Sequence, residues 1–299
     1  MSNERKRRFG DRNDGYRIKE SDPIHSFMPF MLPNRCDNEA VMSELIDLTK
    51  VMEYVNQKNE SNPAFKYTMF HVICAAIART MYMRPKMNYF YKNKRLYERK
   101  FISETFIVKK QLADNAGETL AIVKFDPQSD MSPIEQIHTQ LEKIVFSVRK
   151  ENKDDGATDI MGILTKLPKF ILNIFMGFIN FLDNRGHLFK DFVKIDPYHQ
   201  SVFLSNTGSI KLTAEYHHLA NFGTNSFFVL IGERHNHPYY DQDGNVEMRP
   251  ALNLGLTIDE RIADGTYFAN SLKIMRQLIN NPELLDIPFT AEIEMEKKQ

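Results

Sequence analysis

The spacing of apolar and polar positions divides the chain, from about residue 30 onward, into strand-like and helix-like stretches. Residues 40–49, AVMSELIDLT, place apolar and β-branched side chains as a strand does, and Thr49 then caps a helix through about Asn59. Residues 67–83, YTMFHVICAAIARTMYM, are apolar nearly all round and end before Arg84-Pro85, which predicts a buried helix stopped by proline. Short strands are expected at 95–98, 104–108 and 119–125. Ser132-Pro133 opens an amphipathic helix over 133–150, with serine as cap and proline in the first turn. A charged break at 150–155 follows, then helical signals over 159–182 interrupted at Pro168. Strands are expected again at 201–205 and 226–231, a hairpin around Asp243-Gly244 over 239–250, a strand at 252–258 and a helix at 264–280. Strands and helices alternate at both ends, so the class is α/β or α+β, with a mixed β-sheet flanked by helices.

The organisation expected is a polar N-terminal extension over 1–29, a main domain over 30–287 and a charged C-terminal tail over 288–299. Residues 1 to about 22 read as poorly ordered. Lys plus Arg and Asp plus Glu are equal at 39 each, so no net charge draws the chain to nucleic acid or anionic membrane. The basic run Arg5 to Arg8 reads as a solvated end. Two cysteines and 15 methionines fit a reducing, cytoplasmic setting, and no signal peptide is visible. The stretch Phe170–Leu182 is uncharged for 13 residues, short of the ~20 a spanning helix needs. It reads as a helix packed outside the sheet or against a neighbour, with peripheral membrane contact the lesser alternative.

Several groups imitate sites. His71 and Cys74 stand three apart on a helix too apolar for a reactive thiol, so both are assigned to the core. The pairs His217-His218 and His235/His237 lack accompanying ligands at metal spacing, and no metal is expected. Asp241, Asp243 and Asn245 open like a calcium loop, but its required glycine and glutamate are Val246 and Leu252 here, which leaves a turn.

The segment Leu256-Thr257-Ile258-Asp259-Glu260-Arg261-Ile262-Ala263-Asp264-Gly265 is a strand, a tight polar turn and a helix start. Taken alone it is a capped turn that holds polar groups at a helix N-terminus. It resembles the strand, Asp-His-Arg, two apolar residues and Asp-Gly of the 2-oxo acid dehydrogenase acyltransferases, with Glu260 in the histidine's place. Pro282, Leu284 and Leu285 follow in register. Phe203-Leu204-Ser205-Asn206-Thr207-Gly208 resembles that family's strand running into Ser-Asn-x-Gly, and Ser205 precedes Glu260 by 55 residues. Leu45-Ile46-Asp47-Leu48-Thr49 and Pro85-Lys86-Met87-Asn88 are similar to two further family segments, so the resemblance spans roughly 30–287.

The resemblance implies the CoA-dependent acyltransferase fold shared with chloramphenicol acetyltransferase, a homotrimer with sites between subunits, and acyl-CoA as co-substrate. It makes Glu260, Ser205 and Asp264 the candidate catalytic residues: Glu260 in the position of the general base, Ser205 as donor to the oxyanion, Asp264 as a loop-holding group for which Arg35 is a candidate partner. CoA-binding residues and the acceptor small molecule are not legible. No lipoyl domain or swinging linker precedes residue 30, which suggests a free-standing domain. Glutamate, with an ordinary pKa near 4.3, is a weaker base than imidazole toward a thiol, and its charge opposes an oxyanion. Two readings stay open: acyl transfer with Glu260 as base, and a non-catalytic trimeric scaffold or binding subunit. Hydrolysis with Glu260 activating water is a third.

Overall fold

A computed structural model describes residues 6–19, 22–109, 118–150, 162–213 and 216–294. The elements in chain order are β1 (Gly15–Arg17), α1 (Pro23–Met31), β2 (Glu39–Asp47), α2 (Thr49–Asn59), α3 (Met69–Met83), β3 (Tyr89–Lys92), β4 (Arg95–Arg99), β5 (Ile102–Lys109), β6 (Glu118–Phe125) and α4 (Pro133–Lys150). They continue with α5 (Lys169–Asn184), α6 (Lys190–Ile195), β7 (Val202–Asn206), β8 (Phe227–Ile231), β9 (His235–Tyr240), β10 (Val246–Asp259) and α7 (Gly265–Asn280). Most of the charged break, 151–155, lies outside the described residues, as do 159–161 of the expected helical stretch.

Seven strands form one mixed sheet in the order β2-β10-β8-β7-β5-β6, with β9 paired to the outer part of β10. The β5–β7 and β7–β8 pairs are parallel. Helices α2, α3, α4 and α7 cover one face. Their apolar sides meet Leu252, Leu254, Leu256 and Ile258 of β10 and Phe227, Val229 and Ile231 of β8 in a single core. The alternation along β10 and β8 puts every second side chain into that core. The opposite face carries Phe203, Phe228 and Leu230 under Leu219, and the His217 ring stacks on Phe228 at 4.2 Å. At the edge of that face Val41 and Leu45 of β2 stay open to solvent.

The expected strand at 252–258 and the second arm of the hairpin are one strand, β10. Pro250 does not break it. Its carbonyl accepts from Leu48 N at 2.8 Å, and β2 has already ended at Asp47 on that side. The N–H that proline lacks therefore has no ladder bond to make. At the tip, Asp241 Oδ1 accepts from the backbone N–H groups of Asp243 and Asn245, and Gly244 takes φ +82°, so the calcium-like residues build a turn.

The N-terminal segment differs from expectation. Residues 15–17 form β1, paired with β4 in a second, three-stranded sheet β1-β4-β3. Arg12 is buried beside the stacked Phe90 and Tyr97 rings, 5.6 Å from each centroid, and ion-pairs with Asp14 and Asp183. Polar composition suggested a frayed end, but Arg12 is met both by its neighbour Asp14 and by Asp183, 171 residues away. At the other terminus Phe289 is buried and the carbonyls of Pro288 and Ala291 accept from Arg79, so the packed chain runs past 287.

The His71 and Cys74 side chains are both core groups. His71 forms a capping box with Thr68 at the start of α3, and burial together with His138 pushes its imidazole down to about 4. Cys74 lies beside Glu104 of β5, whose carboxyl is fully buried in the core, with no well-formed hydrogen bond on either oxygen. Burial raises the Glu104 pKa well above the ordinary value. The unfolded chain ionises first as pH rises, so stability falls from about pH 4.3 upward until the folded carboxyl also ionises. Glu104→Met is expected to stabilise the protein by ~1–3 kcal/mol at pH 8 and by much less at pH 4, read by urea denaturation at both pH values.

Candidate active site

β10 delivers its last residue, Asp259, into the protein interior, where its N–H donates to Ser226 O at 3.0 Å. The chain then turns through Glu260–Ile262 into α7. Arg261 folds back on Asp259 in a two-pronged pair, Nε to Oδ1 and Nη2 to Oδ2, both 2.7 Å. Arg35 Nε stands 3.6 Å from the same carboxylate. Arg35 also donates to Ala220 O, Tyr91 O and Gly223 O, and Arg261 to Leu32 O and Pro33 O. All three side chains are buried. A planar guanidinium matches a carboxylate at two points, so this clamp fixes the turn as well as its charge.

The turn holds Glu260 half-buried. Among the described residues its carboxylate takes no hydrogen bond and no ion pair. Asp264 is exposed and caps α7, accepting from Tyr267 N at 2.9 Å, which holds its carboxyl below the ordinary range. The expected partnership of Asp264 with Arg35 is therefore corrected: Arg35 is real as the loop-holding arginine, but its carboxylate is Asp259. The reason is depth. Asp259 still belongs to the strand and faces inward, whereas Asp264 starts a helix at the surface.

Ser205, half-buried, sits near the end of β7. Register separates it from Glu260. Ser205 lies opposite Leu230, and Leu230 opposite Gly255, five residues before Glu260. At about 3.3 Å per residue and 4.8 Å between strands, Ser205 and Glu260 lie roughly 17 Å apart along the sheet and 10 Å across it. The fold of one chain therefore does not bring the two together.

Beneath the clamp is a cavity of about 240 Å³ lined by residues that include Arg35, Tyr91, Lys92, Lys94 and Arg261. Its volume is below the ~300–1,000 Å³ of a complete small-molecule site. Behind it lies a buried ionic network that sequence reading missed. His199 is enclosed between Asp183, 3.2 Å from Nε2, and Asp196 on Nδ1. Burial lowers the His199 pKa, but the hydrogen bonds and charges of Asp183 and Asp196 outweigh it and the net shift is upward. Lys92 Nζ reaches Asp183 at 2.6 Å. The i, i+3 spacing of Asp196 and His199 was the available signal; the contacts to Asp183, Arg12 and Lys92 had none. These groups brace the site from behind. His235 and His237 share a strand face with ring centroids 5.9 Å apart. Among the described residues no group of three or more His, Cys, Asp and Glu side chains is placed to hold a metal ion.

The family model described as 2-oxoacid dehydrogenases acyltransferase (catalytic domain) matches residues 199–287, from the buried histidine through the clamp to the end of α7 and beyond. No curated protein matches the chain. Among solved structures, a probable dihydrolipoamide acetyltransferase from Listeria monocytogenes 4b F2365 superposes with a TM-score of 0.57 at 15% identity, covering 89% of this chain and 95% of that one. The Azotobacter vinelandii dihydrolipoamide acetyltransferase gives 0.58 at 15% identity, covering 90% and 94%. Chloramphenicol acetyltransferase gives 0.53 at 10% identity, covering 89% and 98%. The chain thus carries the fold of the dihydrolipoamide acetyltransferases and of chloramphenicol acetyltransferase, and over residues 199–287 it matches the catalytic domain of the 2-oxoacid dehydrogenase acyltransferases.

Proposed function

We propose that this protein transfers an acyl group between acyl-CoA and a small-molecule acceptor, at sites formed between the subunits of a homotrimer. The observation that carries the reading is the Asp259–Arg261–Arg35 clamp, which presents Glu260 on a fixed turn with its carboxylate uncommitted. Glu260 takes the proton of the attacking thiol or hydroxyl, and Ser205 of an adjacent copy donates to the oxyanion. The register distance supports a shared site, because one chain alone keeps these residues apart. The helix-free sheet face, with Val41 and Leu45 open, is a surface that a second copy would cover. In the Azotobacter vinelandii enzyme a serine, a histidine and an asparagine four residues further on were investigated for their catalytic role. Ser205, Glu260 and Asp264 repeat that order and the four-residue step. Asp264 acts here by capping α7, as a positioning residue. Cations at the cavity beneath the clamp, Lys94 among them, suit a phosphate of CoA.

A second reading, a trimeric scaffold without turnover, is favoured by one observation: among the described residues no side chain orients Glu260, and a base in this role normally has an orienting partner. The two are separated by acyl-CoA titration and thiol release. Turnover is expected, reduced about a hundredfold in Glu260→Gln and in Ser205→Ala. Co-assembled trimers of the two variants are expected to recover about a quarter of wild-type activity, because random mixing restores intact residues at one interface in four. Acyl-CoA binding with no thiol release in the wild type, and release appearing in Glu260→His, would establish the scaffold reading.

A further inference from the structure

The outer side of α5 is apolar and uncovered. Phe170, Ile174 and Phe178 are 66%, 70% and 54% exposed, and Ile171 and Phe181 extend the same stripe. Ile163 and Leu167 continue it ahead of the helix. The inner side packs Ile179 against Leu188 and Val193, so the helix is already anchored to the protein and still presents a second apolar face. At 16 residues and about 1.5 Å per residue, that face is roughly 24 Å long. Among the described residues no helix is long and apolar enough to cross a membrane.

Among the described residues from 162 to 190, which hold the stripe, the exposed charges have one sign. Lys166 and Lys169 stand exposed at its start, and the Arg185 guanidinium stacks over the Phe181 ring at 3.6 Å at its end. The sole acidic residue from 162 to 190 is Asp183, and it is buried. Arg185 also lines a depression of about 540 Å³ with Arg7, Arg8, Arg95 and His187, beside the fully exposed ring of Phe9. The acid in that depression, Asp11, is spent on the backbone N–H groups of Arg8 and Arg17. Over residues 162–190, a second copy laid along the same stripe in antiparallel fashion would set lysines against arginine with no exposed carboxylate between them. A nucleic acid would satisfy the cations but leave the apolar stripe in water.

From this arrangement we infer that α5 is an interfacial helix that docks the protein onto an anionic lipid bilayer, with the arginine depression taking lipid headgroup phosphates. The helix lies flat, its stripe in the acyl boundary. The inference is independent of the acyl-transfer reading.

The chain contains no tryptophan, so Ile174→Trp places a single reporter on the stripe. Its emission is expected to shift to the blue with vesicles of phosphatidylcholine and phosphatidylglycerol, and far less with phosphatidylcholine alone. Binding is expected to weaken with added salt. In flotation assays, Ile174→Glu with Phe178→Glu is expected to reduce vesicle binding about tenfold or more. Arg7→Glu with Arg185→Glu is expected to abolish the preference for anionic lipid. Both sites are exposed, and an unchanged circular dichroism spectrum and oligomer mass verify the fold. The inference fails if wild-type protein binds neither vesicle, or if it binds both equally. It fails also if the stripe variant splits the oligomer while vesicle binding persists, which would assign α5 to contact between copies.

Discussion

Replacing Asp259 by Asn is expected to destabilise the protein by ~3–5 kcal/mol, because it leaves two buried guanidiniums without their counter-charge. Asp259 is fully buried, and Arg261 and Arg35 have only 3% of their side chains exposed. An asparagine retains one acceptor oxygen and cannot serve both arms of Arg261. The urea midpoint should fall with the slope unchanged, at fixed protein concentration. A cycle with Arg261→Met tests the mechanism. Removing the arginine as well should recover part of the loss, since the penalty is an unpaired charge more than a missing contact. Acyl transfer should fall together with stability, because the same pair holds Glu260 in place. Full stability in Asp259→Asn would remove the clamp from the account of the site.

The second large effect is expected at Asp183. Its buried carboxylate is met by Arg12, Lys92 and His199, three groups from three parts of the chain. Burial raises its pKa, but the hydrogen bond and charge of His199 and the charges of Arg12 and Lys92 outweigh this, and the net shift is downward. Asp183→Asn should cost ~3–5 kcal/mol near pH 6. The depressed carboxyl contributes stability that is present above its unfolded pKa of about 3.9 and is lost as pH falls toward its folded value. The raised His199 contributes stability that is present below about pH 6.5 and is lost as pH rises through its folded value. The gap between wild type and Asp183→Asn should therefore be widest between about pH 4 and 6.5 and narrow on both sides. Thermal midpoints across pH 3–9 measure it. A constant gap would show that the network is not electrostatic in origin.

Local order was legible. Ser132-Pro133 and Arg84-Pro85 mark helix ends by rules that act over a few residues, and α4 begins and α3 ends there, whereas Thr49, expected as a cap, is the first residue of α2 and donates its hydroxyl to Asp47 Oδ1. The frame Asp259, Arg261, Asp264 and Gly265 gave the strand, turn and helix of the site before any geometry was known. The short strands β1 and β3 were missed, because three or four residues carry too little periodicity.

Other features depended on partners far apart in the chain. Arg12 and Asp183 are 171 residues apart, and nothing in either neighbourhood announces the pair. Asp264 was the expected partner of Arg35, and depth set Asp259 in its place. Ser205 and Glu260 were both named from sequence, but the strand order β10-β8-β7 decided that one chain keeps them apart. The apolar run from Phe170 to Leu182 was plain as composition; which side of it faces water was fixed by where Leu188 and Val193 pack. The sequence by itself determined most of the longer elements, some of their ends and the identity of the candidate side chains, since these follow from propensities and patterns within a turn or two, though it missed the helices Pro23–Met31 and Lys190–Ile195. Only the tertiary structure decided which charges meet, which face lies open and which residues share a site, because those outcomes follow from burial and from strand register across the whole sheet.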